Sequence, residues 1–316
     1  MFRTGLALLA VLVTTAAYAE DKDTFRVLVF GDSHVQGNHL ERSERIGHRL
    51  GDILGKHKKP TRVKVIAKGY SAMAMNVEKE PARNALKTLP DVLKKAGKVD
   101  EVVLMFGSND VKRSNFAETG PDGVAENLRK LIKAVRKHYG DKAPAITYVG
   151  PAPVGKNLAD WAKEGGMYVD ANDRIRKALP ELKRVCIEEE VRFVNSWELL
   201  KDDIEKKIHD DGIHLTAEGY GRIVRELIRA MQDHTAPHAP KLVRVQGSKV
   251  TFTPYKEKDI IGHQLMNGDQ VVGVTLENEW RVPKGKKVDG VRSVDAAGNR
   301  GKITRAGKIG LPDLRL

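Results

Sequence analysis

Phe25-Arg26-Val27-Leu28-Val29-Phe30-Gly31-Asp32-Ser33-His34 is the stretch from which the rest of the chain can be read. Its β-branched, apolar run lacks polar alternation beyond Arg26, as expected of a strand buried on both faces of a parallel sheet. Glycine at its end permits a tight exit, so Ser33 would project into the crevice beyond the strand with its hydroxyl accessible. Similar runs recur at 62–67, 101–106, 145–149 and 191–195. Between them lie helical patterns: Val124, Leu128, Leu131, Ile132 and Val135 share one helix face, and Tyr220, Ile223, Val224, Leu227, Ile228 and Met231 share another. Alternation of this kind over 25–233 predicts a three-layer α/β/α domain around a parallel sheet.

The pattern stops at 234–240, where Pro237 and Pro240 interrupt a stretch with no apolar period, and a linker is expected there. Residues 241–316 change texture. Their short β-rich runs are separated by Gly, Asn, Asp and Pro, as in a small antiparallel, sandwich-like β domain. That segment carries 15 Lys/Arg against 8 Asp/Glu, more than half of the chain's net charge of +13 in under a quarter of its 316 residues.

The N-terminus bears on location. Arg3 precedes an apolar run at 6–13, and Ala17-Tyr18-Ala19 supplies small residues for cleavage, so 1–19 read as a secretory signal and the catalytic domain as 20–233. The run is too short to span a bilayer, and no later stretch is long and apolar enough for a transmembrane segment in the mature chain. An exported chain, periplasmic or secreted, has no nucleic acid as its partner. Its basic surplus points instead to anionic envelope polymers. A single cysteine, Cys186, forms no internal disulfide and reads as a buried thiol.

Ligands of open α/β sheets bind beyond the carboxyl ends of the strands, so those ends hold the candidate chemistry. The first gives Gly31-Asp32-Ser33. The second gives Ala67-Lys68-Gly69-Tyr70, where glycine lets a backbone N–H approach a ligand, and the third gives Gly107-Ser108-Asn109-Asp110, with a carboxamide at the same rim. Before the last helix, Asp210-Asp211-Gly212-Ile213-His214-Leu215-Thr216 puts Asp211 and His214 three residues apart on a tight turn, with Thr216 as an N-cap.

Taken in this order, the residues of 25–233 resemble the SGNH/GDSL hydrolase family (esterases and lipases), which implies a flavodoxin-like α/β/α fold. By that resemblance Ser33 matches the nucleophile, His214 the base and Asp211 its orienting carboxylate. Ser33, Gly69 and Asn109 match the oxyanion-hole donors. The implied reaction uses an acyl-enzyme and no metal or organic cofactor. Two positions depart from the pattern. His34 stands where the family has leucine, a neighbour position expected not to affect chemistry, and Ala67 stands where many members have an asparagine two residues before the oxyanion glycine, here Gly69.

Asp32-Ser33-His34 with Gly37-Asn38-His39 also resembles fragments of a metallophosphoesterase site, but the spacing is wrong and the downstream Gly-His-x-His is absent. His39 and His48 then read as ordinary surface or helix histidines. The family's substrates range over lipids, thioesters, aryl esters and acetylated sugars. The mixed polar loop 155–166, with one tryptophan, suits a short acyl group on a polar carrier, so an acylated carbohydrate or other small ester is expected as substrate. Alternatives are a lysophospholipase or broad carboxylesterase, an O-acyltransferase using the same triad, or a non-enzymatic envelope-binding protein. Residues 291–300 resemble the last strand and turn of fibronectin type III or bacterial Ig-like modules, which implies binding or spacing, with an anionic cell-wall polymer as a partner for this basic domain. Trp280 and Tyr255 are expected in its core rather than on a sugar-stacking face.

Overall fold

A computed structural model describes residues 24–57, 62–202, 204–257 and 259–307. The expected export signal, 1–19, and the last residues of the expected accessory domain lie outside them. Among the described residues no helix is long and apolar enough to cross a membrane.

Strands β1 (Thr24–Gly31), β2 (Arg62–Gly69), β3 (Glu101–Met105), β4 (Ala145–Val149) and β5 (Arg192–Val194) form one parallel sheet in the order β2-β1-β3-β4-β5. Central β1 and β3 are buried on both faces, Val27 to Phe30 and Val102 to Leu104 being inaccessible to solvent. This explains their continuous apolar runs. β2 is the sheet's edge and alternates with Arg62, Lys64 and Lys68 exposed.

The main helices are α1 (Ser33–Gln36), α2 (Ile46–His57), α3 (Ala85–Ala96), α4 (Arg113–Tyr139), α5 (Ala171–Glu188) and α6 (Ala217–Gln232). One face of the sheet packs on α3, α4 and α5 through Leu89, Leu128, Ile132, Ile175 and Leu182. The other packs on α2 and α6 through Leu50, Leu54, Ile223, Val224 and Leu227. The expected apolar stripes of α4 and α6 are the buried ones. Gly120 (φ 61°) kinks α4 before Pro121, which cannot continue a ladder behind it. Cys186 is buried on α5, which pushes its thiol pKa far up.

Beyond α6 the described residues form seven antiparallel strands in two sheets. β6 (Lys241–Gln246), β7 (Lys249–Thr253) and β10 (Glu279–Arg281) form one sheet; β8 (Ile260–Asn267), β9 (Gln270–Thr275), β11 (Gly290–Asp295) and β12 (Thr304–Arg305) form the other. Val243, Val250, Phe252, Leu265 and Val291 fill the space between them, with Trp280 packed against that cluster. Tyr255 departs from its expected place: lying beyond the end of β7, it is exposed, stacks on His238 at 4.5 Å and has Lys241 Nζ 4.8 Å from its ring centroid.

The β sheets dock on the far side of the molecule from β2. Phe193 N donates to Ala296 O at the β5 edge, Gln264 Nε2 donates to Ile187 O at the end of α5, and Ile187, Val274 and Val294 form a shared apolar cluster. The end of α5 lies at the amino ends of the strands, opposite the crevice, so these sheets do not cover it.

Candidate active site

Three strand ends and one loop converge on Ser33. Gly31 closes β1 where a Cβ would strike Met105 O and Val35, and the chain turns directly into the short α1. Asp32 caps that turn, its Oδ1 accepting from His34 N at 2.9 Å. Ser33 is thereby held half-buried at the crevice.

The loop before α6 brings its partners. Ser33 Oγ lies 3.0 Å from His214 Nε2, and His214 Nδ1 lies 2.5 Å from Asp211 Oδ2. Asp211 Oδ1 also accepts from the backbone N–H groups of Ile213 and His214, each at 2.9 Å. Burial opposes the Asp211 charge, but the ring and the two backbone donors outweigh it and hold the carboxyl well below the usual range. Thr216 caps α6 as expected, accepting from Gly219 N. Gly212, at φ 78°, makes the tight turn that puts base and carboxylate side by side.

Asn109 comes to the same place from the end of β3. Its Nδ2 donates to Asp32 Oδ2 at 3.2 Å, and its Oδ1 accepts from Tyr168 OH at 3.1 Å, which fixes the amide's orientation. One amide hydrogen is therefore left without a partner among the described residues. Tyr168, which sequence reasoning missed, lies 59 residues away with no motif around it.

Gly69 is placed within the β1–β2 ladder opposite Gly31, beneath α1, where a Cβ would collide with the backbone of Gln36 and Val35. This gives the glycine a packing reason. Three residues on, Ala72 adopts φ 56°, a left-handed conformation that costs alanine about 1 kcal/mol. Its N–H and that of Ser33 have no hydrogen-bond partner among the described residues. The Ala72 loop is tied beside Asn109 by Met75 N, which donates to both oxygens of Asp110 at 3.0 and 3.3 Å. A glycine at 72 would have drawn attention in the sequence; an alanine gave no sign.

His34 is not the inert neighbour expected. It is buried, its Nδ1 is 3.0 Å from Asp32 Oδ1 and its Nε2 is 3.1 Å from Ile213 O, so both ring nitrogens face acceptors. Burial opposes its protonation, yet the charge and hydrogen bond of Asp32, with Ile213 O, raise its pKa above the ordinary value. His34 therefore braces the serine turn against the loop that carries His214. Tyr220 OH donates to the His34 carbonyl from α6. His39 is exposed, as expected of a surface histidine, but it also borders the site: its Nε2 is 2.7 Å from Leu215 O and its ring is 5.0 Å from that of His214. His48 stays exposed, accepting from Arg42.

Among the described residues, the group with metal-ligand geometry is Asp233, Asp259 and Asp295, at the junction of α6 and the β sheets. Asp295 directs both oxygens at Asn299. The Ser33 crevice has no such group.

The GDSL-like Lipase/Acylhydrolase family matches residues 29–222, ending before the antiparallel sheets begin. A GDSL esterase/lipase of Arabidopsis thaliana is 25% identical over 215 residues, 66% of this chain and 64% of that protein. An isoamyl acetate-hydrolyzing esterase of Saccharomyces cerevisiae is 23% identical over 176 residues, 51% of this chain and 68% of its own. The chain thus spans about two thirds of the length of these relatives. Among solved structures, a carbohydrate acetylesterase family member from Sinorhizobium meliloti (TM-score 0.54, 24% identity) and an M. smegmatis aryl esterase (TM-score 0.56, 23% identity) share the fold. Each match covers 65% of this chain and 97% of the other.

Proposed function

This chain belongs to the GDSL-like lipase/acylhydrolase family, and on that premise we propose that it is an exported serine ester hydrolase that removes short acyl groups, acetyl above all, from a carbohydrate or envelope polysaccharide. The observation that carries the chemistry is the unbroken relay Ser33 Oγ to His214 Nε2 to Asp211 at 3.0 and 2.5 Å. His214 takes the serine proton as Oγ attacks the ester carbonyl, and Asp211 holds the imidazole in the tautomer that accepts it and steadies the cation formed. Negative charge then develops on the carbonyl oxygen. It is met by Ser33 N–H, by the spare Asn109 amide hydrogen and by a backbone N–H of the loop after β2. Ala72 suits this third role better than Gly69, because Gly69 lies within β2 with its N–H directed out of the sheet's edge, whereas the left-handed turn at Ala72 lies in the loop beyond the strand and leaves its N–H without a protein partner among the described residues. Each such donor is worth about 3 kcal/mol of barrier. The alcohol leaves with the proton from His214, and water repeats the sequence in reverse to release the acid.

A carbohydrate leaving group is supported by Trp161, which is 45% exposed with its ring 6.2 Å from that of His214 and edge-on to Tyr168. An exposed aromatic face beside the base suits the apolar face of a sugar ring. Export rests on the sequence of 1–19. For the C-terminal domain, 241–316, a spacing or anchoring role remains our reading. Several of its cations are already engaged: Arg292 and Arg300 meet Glu190, Arg305 meets Asp289 and Lys249 meets Glu279.

The test is hydrolysis of p-nitrophenyl esters from acetate to long acyl chains, with Ser33→Ala beside the unaltered protein. Ser33-dependent turnover that falls steeply beyond short chains is expected. Rising activity with chain length would replace the acetylesterase reading by a lipid or broad carboxylesterase one, and absence of Ser33-dependent turnover would overturn the hydrolase itself.

A further inference from the structure

Along the open edge of the sheet, between β2 and α2, runs a cleft of about 750 Å³. Its wall includes Val63, Val65, Ala67 and Gly69 of β2, so it extends for about 20 Å of strand at 3.3 Å per residue. Its upper end is formed by Gln36 and Asn38, one turn of chain from Ser33. The cleft therefore ends close in the chain to the serine turn, and it lies on the edge of the sheet opposite β5 and the C-terminal domain.

Its chemistry is that of an anion site. Arg42 and Arg45 line it, and neither enters an ion pair among the described residues: Arg42 donates to His48 and Arg45 to the Leu40 carbonyl. Several other arginines of this domain are paired, as Arg129 and Arg136 with Glu189, Arg192 with Glu101 and Arg229 with Glu226. Asp52 is the one carboxylate among the described residues that line it. The backbone adds to this. Tyr70 N donates to Gly31 O, so the even-numbered residues of β2 pair with β1 and the N–H and C=O groups of Val63, Val65, Ala67 and Gly69 point out of the open edge. Those N–H groups suit carboxylate or phosphate oxygens, and the carbonyls between them suit hydroxyls.

We propose that this cleft binds an anionic stretch of the substrate, a polyhydroxylated chain bearing carboxylate or phosphate groups, and so presents the acylated unit of a polyanionic glycan to Ser33. The inference rests on the esterase reading above and names its substrate class. It also moves recognition of the anionic polymer from the C-terminal domain to the catalytic one.

The test compares the full chain with the double variant Arg42→Gln/Arg45→Gln on three substrates: an acetylated polyuronate, an acetylated neutral polysaccharide of similar length, and p-nitrophenyl acetate. A second double variant, Lys284→Gln/Lys287→Gln, removes two exposed cations from the C-terminal domain. For the unaltered protein, kcat/KM on the polyuronate is expected to exceed that on the neutral polymer and to fall with added salt. In the arginine variant, the ratio of polyuronate to p-nitrophenyl acetate kcat/KM should drop about fivefold or more through KM, with a flattened salt dependence. The lysine variant should keep the ratio. Inorganic polyphosphate, added as an inhibitor, separates the two anions. Arginine-dependent inhibition without preference for the polyuronate assigns the cleft to phosphate-bearing chains. An unchanged ratio in the arginine variant, with no arginine-dependent inhibition by polyphosphate, overturns the proposal, and so does an equal loss on the neutral polymer. Because p-nitrophenyl acetate reports the Ser33 chemistry by itself, failure there indicts the esterase reading and not the cleft.

Discussion

Asp110 offers a sharp test of the electrostatics beneath the site. It is 3% exposed, and burial together with the neighbouring charge of Asp32 raises its pKa to about 7, against the opposing hydrogen bond from Met75 N. An acid whose pKa is higher in the folded chain binds its proton more tightly there than when unfolded, so stability is greatest while it is protonated. It is lost as pH climbs from the unfolded value of 3.8 to about 7, and the loss is constant above that. At about 1.36 kcal/mol per pH decade the full loss is about 4 kcal/mol, of which some 2.5 to 3 kcal/mol, roughly, accrues between pH 5 and pH 8.5. Asp110→Asn abolishes the titration but keeps a carbonyl oxygen for Met75 N–H. Urea unfolding of both proteins at pH 5 and pH 8.5 should show the variant gaining on the parent by about that amount as pH rises. A stability difference that is the same at the two pH values would refute the assignment of this cost to Asp110.

Three other substitutions probe the site directly. His34→Leu removes the donor to Ile213 O and the brace on the serine turn, and should lower kcat on p-nitrophenyl acetate about tenfold with KM nearly unchanged, the cost of an orphaned buried acceptor being about 1–3 kcal/mol; a change confined to KM would contradict the bracing role. Asp211→Asn should cut kcat by about 10³–10⁴ while leaving the fold intact by circular dichroism, and because Asp211 is held ionised well below the usual range, the acid limb of the parent's pH–rate profile should be a single proton step. Ala72→Gly relieves the left-handed alanine and should raise stability by up to about 1 kcal/mol in thermal unfolding without loss of turnover.

What the sequence made legible were the residues that end strands or begin helices. Ser33 follows a glycine-terminated apolar run, Asn109 stands in the next glycine turn but one, and Asp211 and His214 share a turn, so local chemistry exposes each of them. The rest depends on contacts that no local pattern encodes. Tyr168 orients Asn109 across 59 residues, and His34 looked inert because its second acceptor, Ile213 O, is 179 residues away. Ala72 is a different failure: its function is a backbone dihedral, and alanine advertises none. The basic surplus of 241–316 drew attention to that domain, yet charge counted along a chain says nothing of pairing: Arg292, Arg300 and Arg305 there meet carboxylates, while Arg42 and Arg45 at the β2 cleft enter no ion pair among the described residues.

The charge balance explains why a cationic cleft is useful beside this particular crevice. Asp32, Asp110 and Asp211 all lie beneath or beside Ser33, and they contribute, after burial, to raising the pKa of the buried Tyr168, far above its ordinary value. His34 offsets Asp32, and the reaction passes the serine proton to His214 as the nucleophile attacks. Before that moment an approaching anion meets a field of the wrong sign, which favours neutral esters. Arg45 works against that field: it lowers the pKa of Tyr220, whose hydroxyl donates to the His34 carbonyl, while burial and Asp32 raise it. A glycan with fixed negative charges would thus be turned over well only if those charges are held away from the carboxylates, along the β2 edge, with a neutral acylated unit delivered to Ser33. Selectivity for such a chain then comes from the separation of the two regions, and bringing the anion nearer the nucleophile, by a shorter spacing between charged and acylated units, should lower kcat/KM.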